Sequence, residues 1–208
     1  MDPIHLLINL TMRNERDIDE HLMTLFSLVL SLKPTKIVEL GVRTCRSTLA
    51  FLVASQYTKS SLVSVDINDM TPDFNFPDEW KSNWKFFKQD ALKFLEKDFQ
   101  IFMAERQPKE PLMVYIDDWH DGIHVQKELD LIDKYILPGD LVILHDLMYG
   151  NSQPHYKTEK NPKDPQWGNG GPYDPISKLD LSVWEYVTIP RCNGLTILRK
   201  KSNTIITD

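Results

Sequence analysis

The sequence predicts an α/β fold: a parallel seven-stranded sheet with helices on both faces, ending in a C-terminal antiparallel strand pair. Three observations predict it. Short apolar runs ending at Gly or an acid alternate with stretches of helical periodicity through residues 36–144. Those runs are almost continuously apolar, as strands covered on both faces are. Finally, two strand patterns at the C-terminal end are separated only by Pro190–Gly194, a length that suits a hairpin.

Taken in order, Asp17 to Leu32 has helical spacing, with Ile18, Leu22, Leu25, Phe26 and Val29 on one face and Lys33-Pro34 as its stop. Lys36–Leu40 is the first strand, and Ser47 to about Gln56 the next helix. Leu62–Asp66 and Trp84–Lys88 are the second and third strands, and Ala91–Phe99 follows as a helix. Leu112–Ile116 is the most apolar strand and runs into Asp117-Asp118. Val125–Leu137 reads as a helix stopped by Pro138-Gly139, and Leu141–Leu144 as a buried strand ending at His145-Asp146. Gly150 to about Pro175 is rich in Pro, Gly, Asn, Lys and Asp and keeps no periodic pattern, as expected of a functional lid or a disordered loop. Ser182–Ile189 and Leu195–Leu198 are the closing strands.

The chain of 208 residues suits one domain, and 41% hydrophobic with 26% charged residues is an ordinary globular balance. A net charge of −6 and a pI of about 5.5 argue against nucleic acid as partner. Arg199-Lys200-Lys201 is the one short basic run, read as a solvated strand end. Cys45 and Cys192 lie far apart without metal-type spacing, so a reduced, cytoplasmic protein is expected. Leu22–Leu32 is too short to span a bilayer, and the N-terminus does not resemble a signal peptide. No membrane partner is expected. The apolar face of Leu22, Leu25, Phe26 and Val29 is expected to pack on the core, a homo-oligomer contact being its other use.

Ligands of open parallel sheets bind beyond the C-terminal strand ends, near the point where strand order reverses. Each of those ends carries an acid here: Glu39 with Gly41, Asp66, Asp90, Asp117 with Asp118, and Asp146 beside His145. Gly41 lets backbone approach a ligand, yet Val42-Arg43-Thr44-Cys45-Arg46 follows it, so the dinucleotide glycine pattern is absent. Asp66 suits two ribose hydroxyls or a helix N-cap, and Asp90 suits an adenine amino group or a cap. Asp117 and Asp146, from adjacent strands, can share one hard divalent ion such as magnesium or manganese. Asp117 and Asp118 point to opposite sides of an extended chain, so one of them faces the site. His120 is placed to be a general base, or is a satisfied loop histidine; Asp146 is otherwise a helix cap.

These residues resemble a known family. Val38-Glu-Leu-Gly41 with Arg46-Ser-Thr-Leu49, Val65-Asp66, Gln89-Asp90-Ala91, Tyr115-Ile-Asp117 with His120, and Leu137–Asp146 are similar to the motifs of class I, Rossmann-like S-adenosylmethionine methyltransferases. Within that superfamily they are most similar to metal-dependent O-methyltransferases of the macrocin, rhamnosyl and cephalosporin-biosynthesis type. Tyr115–His120 also resembles a catechol O-methyltransferase segment in which an Asp binds magnesium and a Lys three residues later is the base. The resemblance covers Ile37 to Leu198. It implies that Glu39 and Gly41 line the methionine part of S-adenosylmethionine, with Ser47 bonding it, Asp66 on the ribose and Asp90 near adenine. It further implies Asp117 and Asp146 as ligands of Mg2+, His145 as a third ligand or a supporting group, and His120 as the base. Asp117 then serves cofactor, metal and catalysis together.

The chain departs from the family pattern at Cys45 or Arg46, where relatives carry a small residue, and at His120 in place of Lys. Many relatives also have an acid where His145 stands. The resemblance implies a single methyltransferase domain: an N-terminal helical segment (1–34), a cofactor-binding core (35–148), a lid loop (149–178) with Tyr149, His155, Tyr156, Trp167 and Tyr173 as pocket residues or loop anchors, and the strand pair (179–200). The implied acceptor is a hydroxyl of a small molecule or glycosyl group. A cofactor-binding module without turnover is the alternative, and a nicotinamide oxidoreductase a remoter one.

Overall fold

Among the described residues of the computed structural model (2–148 and 167–201), seven strands form one sheet. They are β1 (Lys36–Leu40), β2 (Ser61–Asp66), β3 (Trp84–Lys88), β4 (Leu112–Ile116), β5 (Leu141–Leu144), β6 (Trp184–Ile189) and β7 (Leu195–Lys200), in the order β3-β2-β1-β4-β5-β7-β6. The first five are parallel; β7 pairs antiparallel with β5 (Leu144 opposite Thr196) and with β6. The expected sheet, with its closing antiparallel pair, is therefore present.

Side chains alternate across each strand, and the core divides accordingly. Ile37, Met113, Tyr115 and Ile143 face one apolar layer; Val38, Leu40, Val114, Ile116, Val142 and Leu144 face the other. On the first face lie α1 (Pro3–Arg13), α2 (Leu22–Leu32) and α3 (Arg46–Thr58). On the second lie α4 (Ala91–Lys93), which continues through a π turn at Phe94–Asp98 into α5 (Phe99–Met103), and α6 (Gly122–Asp133). Each fully buried Leu or Phe of these layers contributes roughly 2 kcal/mol. The face of Leu22, Leu25, Phe26 and Val29 is buried inside the chain, as core packing requires.

Three differences from the sequence expectation have local causes. Asp19 accepts the backbone N–H groups of Glu15 and Arg16, so residues 14–18 turn and the helix begins at Leu22 rather than Asp17. Helix α1 has a Pro in its first turn and Asp2 accepting the Ile4 N–H as its cap; it was not foreseen as a separate element. A short helix, α7 (Tyr173–Ser177), lies within the stretch expected to be irregular. Residues 149–166, with Tyr149, His155 and Tyr156, lie outside the described residues. No helix among the described residues is long and apolar enough to cross a membrane.

Candidate active site

Strand order reverses between β1 and β4, and beyond their C-terminal ends lies a cavity of about 720 Å³. Gly41, Ser47, Asp66, Asp90, Asp117, His120 and Asp146 all line it; Glu39 and His145 do not. Gly41 has φ +88°, and a Cβ there would sit 2.2 Å from the Asp117 carbonyl oxygen, so only glycine lets the two strand ends approach this closely. The loop after it carries Arg43 and Cys45 in left-handed conformation. Asp66 holds this loop: its Oδ2 accepts the N–H of Val42 at 2.9 Å and of Arg43 at 3.1 Å, while Oδ1 accepts that of Asn68 at 2.8 Å. Asp66 therefore caps a loop rather than a helix. Asp90 does cap α4, accepting the Lys93 N–H at 3.0 Å, while also lining the cavity.

Glu39 lies beneath the cavity wall. Three hydroxyls donate to its carboxylate: Ser47 at 2.6 Å, Thr48 at 2.8 Å and Ser64 at 2.5 Å. Burial nevertheless pushes its carboxyl up to about 7. Ser47 thus spends its hydroxyl proton on Glu39 while its side chain borders the cavity.

The ends of β4 and β5 bring together two carboxylates and two imidazoles. Nε2 of His120 lies 3.0 Å from Asp146 Oδ2 and 3.5 Å from Asp117 Oδ1. Nδ1 of His145 lies 3.3 Å from Asp117 Oδ1 and 3.3 Å from Asp146 Oδ1. Its Nε2 is 2.9 Å from the Cys192 carbonyl, which fixes the ring. Tyr115 donates to Asp117 Oδ2 at 2.9 Å. Burial works against the charged His120 ring, yet Asp117 and Asp146 together push it up to about 9. His145 is likewise held well above the usual imidazole range by Asp117 and Asp146 against burial. The cluster therefore holds positive charge between its carboxylates. Asp117, His120 and Asp146 offer donor atoms within 4.8 Å of one another, and the buried Nδ1 of His145 and Oδ1 of Asp146 have no hydrogen-bond partner. Such a donor set fits a divalent ion. Asp118, at a bend after β4, meets His124 and also lines the cavity, so both acids of this pair border it where one was expected to.

Three contributions were not legible in the sequence, and a fourth was named there only as a lid aromatic. Arg16, Asp17 and Ile18, from the turn before α2, line the cavity together with Asn193 from the final hairpin. Arg46 ties that turn down through Asp19 (3.4 Å) and Asp73 (3.0 Å). Trp167 stacks on His120 with centroids 4.3 Å apart and planes 8° from parallel. Of the expected lid aromatics, Trp167 borders the cavity, whereas Tyr173 is exposed on α7. The Trp167 signal was compositional only; the others are brought in by non-local packing that no spacing encodes.

Solved structures share this fold. The SAH-bound methyltransferase PaMTH1 of Podospora anserina is 14% identical, with a TM-score of 0.57 over 97% of this chain and 89% of its own. A CmcI chain with Mg and SAM is 17% identical, with a TM-score of 0.54 over 85% and 69%. The O-methyltransferase TomG from Streptomyces achromogenes, in complex with SAM, is 12% identical, with a TM-score of 0.56 over 88% and 81%. No curated protein matches the sequence significantly. The family model for Rhamnosyl O-methyltransferase/CmcI matches residues 13–191. The chain belongs to this family. It is an S-adenosylmethionine-dependent O-methyltransferase, and the match begins at the end of α1 and runs into the turn of the final hairpin. For this O-methyltransferase, the strand-end acids other than Glu39 and the loop around Gly41 border one and the same cavity.

Proposed function

We propose that this O-methyltransferase binds S-adenosylmethionine along the β1–β2–β3 side of the cavity and methylates a hydroxyl of a small molecule or glycosyl group, with Mg2+ or Mn2+ assistance. One observation carries the reading: the Asp117–His120–Asp146 cluster fronts the same cavity as the Asp66-held loop and Asp90. Asp66 and Asp90 take the ribose and adenine ends, and Gly41 leaves room for backbone to approach the methionine part. Glu39 acts from below, setting Ser47 and the start of α3 rather than touching the ligand. The SAM- and SAH-bound neighbours support the cofactor.

Asp117 and Asp146 hold the divalent ion in this reading, with His145 Nδ1 as the imidazole donor whose far nitrogen is anchored on the Cys192 carbonyl. When bound, the ion supplies Lewis-acid charge that favours the alkoxide form of an acceptor hydroxyl, and the sulfonium supplies the methyl group. His120 is the base. The two carboxylates keep its proton in place up to about pH 9, and an imidazole that has released that proton would be placed to accept one from a hydroxyl. Trp167 fixes the ring plane of His120 and covers one of its faces. Proximity of the donor side and the acceptor side across one cavity supplies most of the remaining rate.

Calorimetric titration of S-adenosylmethionine, with and without Mg2+, into the wild type and Asp66→Ala tests the donor side. Binding in the micromolar range, about −8 kcal/mol, is expected for the wild type and absent in the variant. Absence of binding by the wild type under both conditions would overturn the reading.

A further inference from the structure

Three buried acids of this protein are saturated. Glu39 receives three hydroxyls; Asp140 accepts from Arg106 and from the Leu112 and Leu137 N–H groups; Asp19 accepts two N–H groups and meets Arg46. Glu128 differs. It is fully buried on the sheet-facing side of α6, and neither of its carboxylate oxygens has a hydrogen-bond partner. A buried carboxylate left this way is strongly destabilising unless a positive charge faces it.

The group facing Glu128 is His124, one helical turn earlier on α6, whose Nε2 is 3.5 Å from Glu128 Oε1. The same Nε2 is 3.4 Å from Asp118 Oδ2, and the other Asp118 oxygen is also buried without a hydrogen-bond partner. Asp118, His124 and Glu128 offer one donor atom each within 4.8 Å of one another. Asp118 and His124 border the cavity, which gives the trio an entrance, while Glu128 closes it from within.

We propose that Asp118, His124 and Glu128 form a second divalent-cation site, separate from the Asp117–His120–Asp146 cluster. One imidazole nitrogen with two carboxylates is a mixed donor set that suits Zn2+ or Mn2+ better than Mg2+. The cation neutralises Glu128 and ties the loop after β4 to α6. That loop carries Asp117 on one side of the trio and His120 in its middle, so the second ion fixes the geometry of the first site.

The test is a count of bound ions in the full chain, made with Zn2+ and read again with Co2+, whose visible absorption distinguishes a protein-coordinated ion from the hydrated one. After chelator stripping, the Asp117→Asn, Asp146→Asn double variant is expected to bind one equivalent tightly. Adding Glu128→Gln should abolish it, and adding His124→Gln, at a less buried position, should do the same if the glutamate variant does not fold. No binding by the double variant, or an unchanged equivalent with Glu128→Gln or His124→Gln, would overturn the site. S-adenosylmethionine titration of Glu128→Gln, with both first-site aspartates intact, keeps the two readings apart. Failure of donor binding in the wild type bears on the proposed function alone, whereas loss of the ion with donor binding retained bears on this site alone.

Discussion

Glu39 meets three hydroxyls and still holds its proton to about pH 7, because burial outweighs the donors. In the unfolded chain the same carboxyl ionises near 4.5. Between those values the unfolded state binds fewer protons, so this group's contribution is complete below pH 4.5 and falls as pH rises to about 7. The shift corresponds to about 3 kcal/mol. Glu39→Gln is expected to flatten that part of the stability curve, read as urea midpoints from pH 4 to 8 against the wild type. Asp146 acts in the opposite direction. Its carboxyl is held below the usual range by His120 and His145, which overcome the opposing effect of burial, so its contribution is lost on acidification. The difference between variant and wild type isolates Glu39. The acid itself was legible from the end of a buried strand. Its three donors were not, since Ser64 arrives from the neighbouring strand through register.

At the scale of elements, Arg46 decides where the N-terminal segment lies. Its guanidinium bridges Asp19, which is 0% exposed, and Asp73, and so presses the turn before α2 onto the cavity. Removing one partner of a buried pair leaves the other charge uncompensated, at a cost of about 3–5 kcal/mol. Arg46→Met should lower stability by that order and increase proteolysis within residues 13–19, checked by denaturation and limited digestion. Gly41→Ala should be comparably damaging, roughly 3 kcal/mol or more, since its Cβ meets the Asp117 backbone at φ +88°. The central strands β1, β4 and β5 were read from sequence to the residue, because burial on both faces leaves a nearly unbroken apolar run. Helices were read less well. The break before α2 depends on Asp19 bonding backwards, and α7 is five residues long after a Pro, too short to show a period.

Across the whole molecule, the two core layers hold the sheet and the strand ends hold the chemistry. The strand-end acids were legible because topology places them at one edge; the pairing of each with its histidine or loop was not. A divalent ion that binds the folded state alone should stabilise it by about 2.7 kcal/mol at a hundredfold excess over Kd. That corresponds to a rise in Tm of roughly 5–10 °C. The expected outcome is such a rise with Mg2+ or Mn2+, reversed by EDTA and reduced in Asp146→Asn, measured by scanning calorimetry.

The antiparallel entry of β7 beside β5 has a consequence for synthesis. It returns the turn of the final hairpin to the C-terminal end of the parallel strands, where the Arg191 carbonyl accepts from His21, the Cys192 carbonyl accepts from His145, and Asn193 closes the cavity. A ribosome that has made every acid and imidazole of the first cluster has still made none of these three. A nascent or truncated chain ending before residue 190 would carry all the acids and imidazoles of that cluster without the carbonyls that anchor His21 and His145 or the Asn193 side of the cavity.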